Sequence, residues 1–258
     1  MKSWTNLSYA NVATTSPAAH KASMEWSDAL ARGGAAEFDG EAEKNAMMPL
    51  RRAAARLLSC EVADVCVGSS ATELLCSLAW AVSPSGGSNI VSTRTAFPST
   101  VYPWSRVAEA NGAKIRLANH DEELYTNPDD ILDLIDEATS VVTLSHVEYS
   151  TGQRYDLRRF ADAAHSVGAL LVVDASQSMG MVPIDAVSSG ADAIVSSGYK
   201  WLRGTYGAAV AYISPEIRGD LNPGLLGFRS HVDIWDLRAD RMELPDDASR
   251  FEYTTIHF

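Results

Sequence analysis

Three cysteines, Cys60, Cys66 and Cys76, are all that this 258-residue sequence carries. They form no CxxC pair and leave one thiol over under any disulfide scheme, so free thiols in a reducing compartment are expected. No apolar run approaches membrane-spanning length, and the opening stretch MKSWTNLSYANVATTSPAAHKAS lacks the apolar core of a signal peptide. The expectation is a cytoplasmic protein with no membrane partner. Positive charge is short as well, with 21 Lys and Arg against 33 Asp and Glu and a net charge of −12. Nucleic acid and anionic membrane surfaces would be repelled, which leaves a small molecule as the expected partner. What the sequence does have is 46% hydrophobic residues, enough for one sizeable core.

The stretch that organises the rest is 170–200, LLVVDASQSMGMVPIDAVSSGADAIVSSGYK. A short apolar run, 170–173, reads as a strand buried on both faces of a parallel sheet, and Asp174 then stands at its carboxyl end, where open α/β sheets hold their ligands. A second run, 192–197, ends just before Lys200. Taken alone, Asp174 reads as a turn cap and Lys200 as a solvated amine. Taken together they fit pyridoxal phosphate, which condenses with a lysine amine and needs a carboxylate beside its ring nitrogen. Gln177, three residues after Asp174, is within reach of the 3′-oxygen of such a ring.

The pattern elsewhere alternates between helix and strand. Residues 1–20 read as an irregular arm. Helices are expected over 21–32, 40–58, 104–110, 129–138 and 157–167, and strands over 89–93, 114–118, 141–147 and 207–213. A further helix follows Gly68-Ser-Ser-Ala-Thr-Glu73. Its small opening residues leave free N–H groups that suit an anion, although, taken alone, an ordinary Ser/Thr cap is the better reading there. His146 reads as a hydrogen-bonded histidine at a strand end, His165 as structural or exposed, and Arg203 as paired with an exposed carboxylate.

Three motifs, SHVEYSTG at 145–152, VVDASQSMGMVPID at 172–185 and SGYKWLRGTYG at 197–207, resemble the core of class V aminotransferase-like enzymes of fold type I. That group includes cysteine desulfurases, selenocysteine lyases, kynureninases and isopenicillin N epimerase-like proteins. The resemblance implies an α/β large domain over 21–258, with a mostly parallel central sheet and helices on both faces. It implies pyridoxal 5′-phosphate as cofactor, held by Lys200 as a Schiff base, with Asp174 on the ring nitrogen and Gln177 on the phenolate oxygen. Ala71, Thr72, Ser197 and Tyr199 would bind the phosphate. Phe97 takes the ring-stacking place where desulfurases carry a histidine, and Tyr149 stands where many relatives have Asn, both as in kynureninase-like members. The closing RFEYTT at 250–255 resembles a segment whose threonine, here Thr255, reaches the partner's phosphate in a homodimer with shared sites. Resembling enzymes continue into a small C-terminal domain, which is expected to be absent from this chain. The implied activity is aminotransferase or lyase chemistry on an amino acid. An epimerase, or a short non-catalytic or partner-dependent form, is the alternative.

Overall fold

In the computed structural model, residues 5–256 are described. The first four residues of the expected arm and the last two of the expected large domain lie outside them. Helix α1 (Pro17–Gly33) opens four residues earlier than its apolar pattern indicated, because Ser16 caps it by accepting the Ala19 N–H and Pro17 takes the first turn. The stretch 40–58 is two helices, α2 (Gly40–Asn45) and α3 (Met48–Leu58). Pro49 falls in the first turn of the second helix, where its missing N–H costs nothing.

Among the described residues seven strands form one sheet: β1 (Val65–Gly68), β2 (Asn89–Thr93), β3 (Lys114–Ala118), β4 (Thr139–Ser145), β5 (Leu170–Asp174), β6 (Ala193–Ser197) and β7 (Ala209–Ile213). Their order is β1-β7-β6-β5-β4-β2-β3. Neighbours pair in parallel except at β7, which runs antiparallel to both β1 and β6. The expected mostly parallel sheet is therefore present.

The remaining helices are α4 (Ala71–Val82), α5 (Pro98–Asn111), α6 (Pro128–Leu132), α7 (Leu157–Ser166), α8 (Ala186–Ser189) and α9 (Pro215–Arg218). Adjacent residues of a strand point to opposite faces, and the core divides accordingly. Val142, Leu144, Leu171, Val173 and Ile194 pack with α3 and α7 residues such as Leu58 and Phe160. Val141, Val172, Ala193 and Val195 pack with Leu74, Leu78, Trp104 and Val107 of α4 and α5. Both sheet faces are thus covered, which explains why these strands read as unbroken apolar runs.

Other boundaries shift for local reasons. Helix α5 begins at Pro98, not 104, because proline suits a first helical position and Phe97 precedes it in extended conformation. The stretch 129–138 holds only the short α6, after which Asp136 and Thr139 turn the chain by mutual hydrogen bonds into β4. Strand β4 therefore occupies 139–145 and not 141–147. Two glycines hold the loop after β6 in place. A Cβ on Gly198 would stand 2.7 Å from the Ala208 carbonyl oxygen, and one on Gly180, whose φ is +91°, would stand 2.9 Å from that of Trp201.

Candidate active site

Asp174 and Lys200 do converge at the carboxyl ends of neighbouring strands β5 and β6. Lys200 follows β6 by three residues and is only 8% exposed. Its Nζ stands 5.3 Å from the centre of the Phe97 ring. Burial pulls its ammonium below the ordinary lysine range, and the negative charge of Asp174 partly opposes that shift. Asp174, itself buried, accepts the Thr100 hydroxyl at 3.0 Å on Oδ2 and the Ser176 N–H at 2.9 Å on Oδ1. Thr100 was not picked out by the sequence reading. It lies one turn into α5 from Phe97, a spacing that puts both at the same helix start.

Phe97 precedes α5 and meets Tyr149 edge to face, with ring centres 5.3 Å apart. Both rings remain partly exposed, at 39% and 48%, so a flat ligand has access to them. The start of α4 reaches the same crevice, since Thr72 Oγ1 donates to Ser99 Oγ at 2.8 Å, two residues beyond Phe97. Ser70 caps this helix by taking the Glu73 N–H. The N–H groups of Ala71 and Thr72 have no acceptor within the helix.

The other expected site residues are engaged within the chain. Ser197 pairs with Ser176, whose Oγ accepts the Ser197 N–H at 3.2 Å and lies 3.3 Å from its hydroxyl. Tyr199 stacks on Tyr206 at 4.3 Å. Gln177 uses both ends of its amide, donating to Ala10 O at 2.8 Å and accepting from Trp201 Nε1 at 2.9 Å. Thr255 donates to Glu43 Oε1 of its own chain at 2.6 Å. Among the described residues Arg203 pairs with no carboxylate: it donates to the Thr14 carbonyl and lies over the Tyr9 ring. The arm supplies these partners, since it runs along the lysine loop and the Ala13 N–H donates to Tyr199 O.

A family model described as aminotransferase class-V matches residues 12–256. The chain belongs to the class-V aminotransferase family. A probable cysteine desulfurase from Methanothermobacter thermautotrophicus is 33% identical over 171 residues, covering 66% of this chain and 42% of that protein. A kynureninase from Deinococcus radiodurans is 32% identical over 222 residues, covering 84% of this chain and 52% of that protein. The chain thus spans about half the length of these curated relatives. The crystal structure of the cysteine desulfurase CsdA from Escherichia coli superposes with a TM-score of 0.82 at 23% identity, over 96% of this chain and 62% of that one. That of the cystine C-S lyase C-DES gives 0.85 at 21% identity, over 96% and 66%. A further C-DES structure holds glycine covalently linked to its PLP cofactor. At these identities the solved structures establish the fold, which is the fold type I architecture.

In this class-V chain His146 departs from the sequence reading. It is buried, but its Nδ1 has no hydrogen-bond partner among the described residues. Burial first, and the Arg154 charge second, push it down to about 4. His165 is structural, with its Nε2 2.9 Å from Asp192 Oδ2. A histidine neutral in the fold and protonated when unfolded costs stability as pH falls. Stability is therefore expected to drop by roughly 3 kcal/mol from this one residue between pH 6.5 and 4. Urea midpoints for wild type and His146→Leu across that window will check it, since the variant lacks this contribution and should decline less.

Proposed function

We propose that this chain is the cofactor-binding part of a pyridoxal-phosphate enzyme that acts on an amino acid by lyase or aminotransferase chemistry. The observation that carries the reading is a desolvated Lys200 amine under the face of Phe97, with the Asp174 carboxylate at the end of the adjoining strand. The donor set fits the cofactor at each of its parts: an amine for the aldehyde, a buried carboxylate for the ring nitrogen, an aromatic face for the ring, and the α4 N-terminus with the Thr72 hydroxyl for the phosphate. When bound, pyridoxal phosphate supplies a carbonyl that condenses with amines and a ring that draws electrons from the substrate α-carbon.

The residues of the chain would do the rest. Lys200, lowered by burial, has more of its amine in the neutral form, free to attack a carbonyl and then to carry a proton at the α-carbon. Asp174 would face the ring nitrogen, held in place by the Thr100 hydroxyl and the Ser176 N–H. Phe97 would cover one face of the ring and shut water out from it. Ser197 and Tyr199 would serve the phosphate from the side of the lysine. For Gln177 to bind the 3′-oxygen it would use the second hydrogen of Nε2, because the first is given to Ala10.

A homodimer in the cytoplasm is part of the same proposal. It is supported by the run of exposed apolar side chains Leu225, Leu226, Phe228 and Val232 and by three free cysteines. The intrachain bond from Thr255 to Glu43 would have to open for that threonine to reach a partner's phosphate.

The test is to load the purified chain with pyridoxal phosphate, dialyse it, and assay sulfide from cysteine, alanine from kynurenine, and keto acid from a panel of amino acids. A retained visible absorption band with one of these products is expected. No band and no product would overturn the reading.

A further inference from the structure

Next to Tyr149 in the chain stands a group the chemistry above does not use. Glu148, at 1% exposure, is among the most buried carboxyls of the described residues. Its Oε1 accepts the hydroxyl of Thr93 at 3.0 Å and that of Thr95 at 3.2 Å. Thr95 in turn lies 3.3 Å from the Thr126 hydroxyl. The other oxygen, Oε2, is buried without a hydrogen-bond partner. One carboxyl therefore joins two loops: the one that follows β2 and delivers Phe97 two residues after Thr95, and the one that follows β4 and delivers Tyr149 as the very next residue.

We propose, on the footing of the function just described, that Glu148 is a positioning residue which sets the Phe97–Tyr149 pair over Lys200 and couples that pair to its own protonation. The two rings touch each other edge to face, and Phe97 lies over the Lys200 nitrogen. A change in how strongly Glu148 holds Thr93 and Thr95 therefore reaches the face on which a cofactor ring rests. Two titratable groups act on Glu148, Asp174 from β5 and Tyr155 from the segment before α7. Thr93 and Thr95 face it with neutral hydroxyls. Burial is the largest cause that pushes the carboxyl up, to about 7, and the like charge of Asp174 adds to it, while the hydroxyls of Thr93, Thr95 and Tyr155 work against both. Below pH 7 the carboxyl is neutral and holds the hydroxyls weakly. Above it the carboxylate holds them more strongly and adds a second negative charge near Asp174.

Ring-labelled Phe and Tyr, followed by NMR from pH 6 to 8 without cofactor, test the coupling directly. Phe97 and Tyr149 are assigned by their loss in Phe97→Leu and Tyr149→Phe. In wild type both rings are expected to shift with a midpoint near pH 7, and in Glu148→Gln, which stays neutral, to stay still. With pyridoxal phosphate added, Glu148→Gln should match the wild-type dissociation constant within about threefold at pH 6 and depart from it at pH 8. Glu148→Ala, which frees both loops, should weaken binding at either pH. Rings that do not titrate in wild type, or that titrate equally in Glu148→Gln, overturn the proposal even if Glu148→Ala fails to fold. Rings that titrate in a chain that never binds pyridoxal phosphate would support the coupling and overturn the function instead.

Discussion

Lys200→Ala is expected to remove the visible absorption band of the pyridoxal-phosphate-loaded chain and to lower turnover of its amino acid by about a thousandfold or more. A positioned proton carrier contributes typically 10²–10⁴-fold by itself, and here the same amine would also be the covalent anchor. Folding should survive. The Lys200 nitrogen is buried beside Phe97 and lies in no ion pair of 4.0 Å or less among the described residues. Removing a desolvated ammonium relieves a cost, so the melting temperature should stay level or rise. Lys200→Arg is the sharper control, because it keeps a positive charge but its guanidinium stays protonated and cannot act as the nucleophile. Dialysis followed by absorption spectroscopy checks all three chains, with melting curves recorded on the cofactor-free proteins. A band that persists in Lys200→Ala would show that another amine holds the cofactor, and the assignment of Lys200 would fall.

Glu252→Ala should cost about 3–5 kcal/mol of stability, because it leaves a buried arginine without its partner. Glu252 takes Arg51 Nε at 2.8 Å and Nη2 at 3.0 Å, and also accepts the Val67 N–H of β1 at 3.0 Å. Both side chains are buried, and the three bonds tie the end of the chain to α3 and the sheet edge. Asp247, 3.8 Å from Arg51, is a weaker second partner. Arg51→Met with Glu252→Leu, which removes both charges together, should recover most of the loss. Urea unfolding of the single and double variants measures this. A single-variant cost below about 1 kcal/mol would mean that water or Asp247 compensates Arg51, as at exposed pairs.

The Glu252 case shows where reading the sequence stops. RFE at 250–252 was recognisable as a motif, but nothing local tells that its glutamate meets Arg51, 201 positions away. Gln177 and Thr255 show the same limit. Their residue types and places fit a cofactor, yet in the fold the amide of one is held by Ala10 and Trp201 and the hydroxyl of the other by Glu43. Nothing local marks Glu148, because a glutamate in a polar loop motif reads as solvated, and only the closing of Thr93 and Thr95 over it makes it a buried acid.

The sequence by itself determined the alternation of strands and helices, the burial of the sheet on both faces, and the meeting of Asp174 and Lys200 in one crevice. Those features follow from apolar periodicity and from the rule that strand ends carry the site, and both are written within windows of about ten residues. Tertiary structure alone decided the antiparallel insertion of β7, the hold of the arm on the lysine loop, the unpartnered Nδ1 of His146 and the burial of Glu148. Each depends on which groups the packed chain brings within about 3 Å from distant positions, and on how much water is shut out there, which no local pattern encodes.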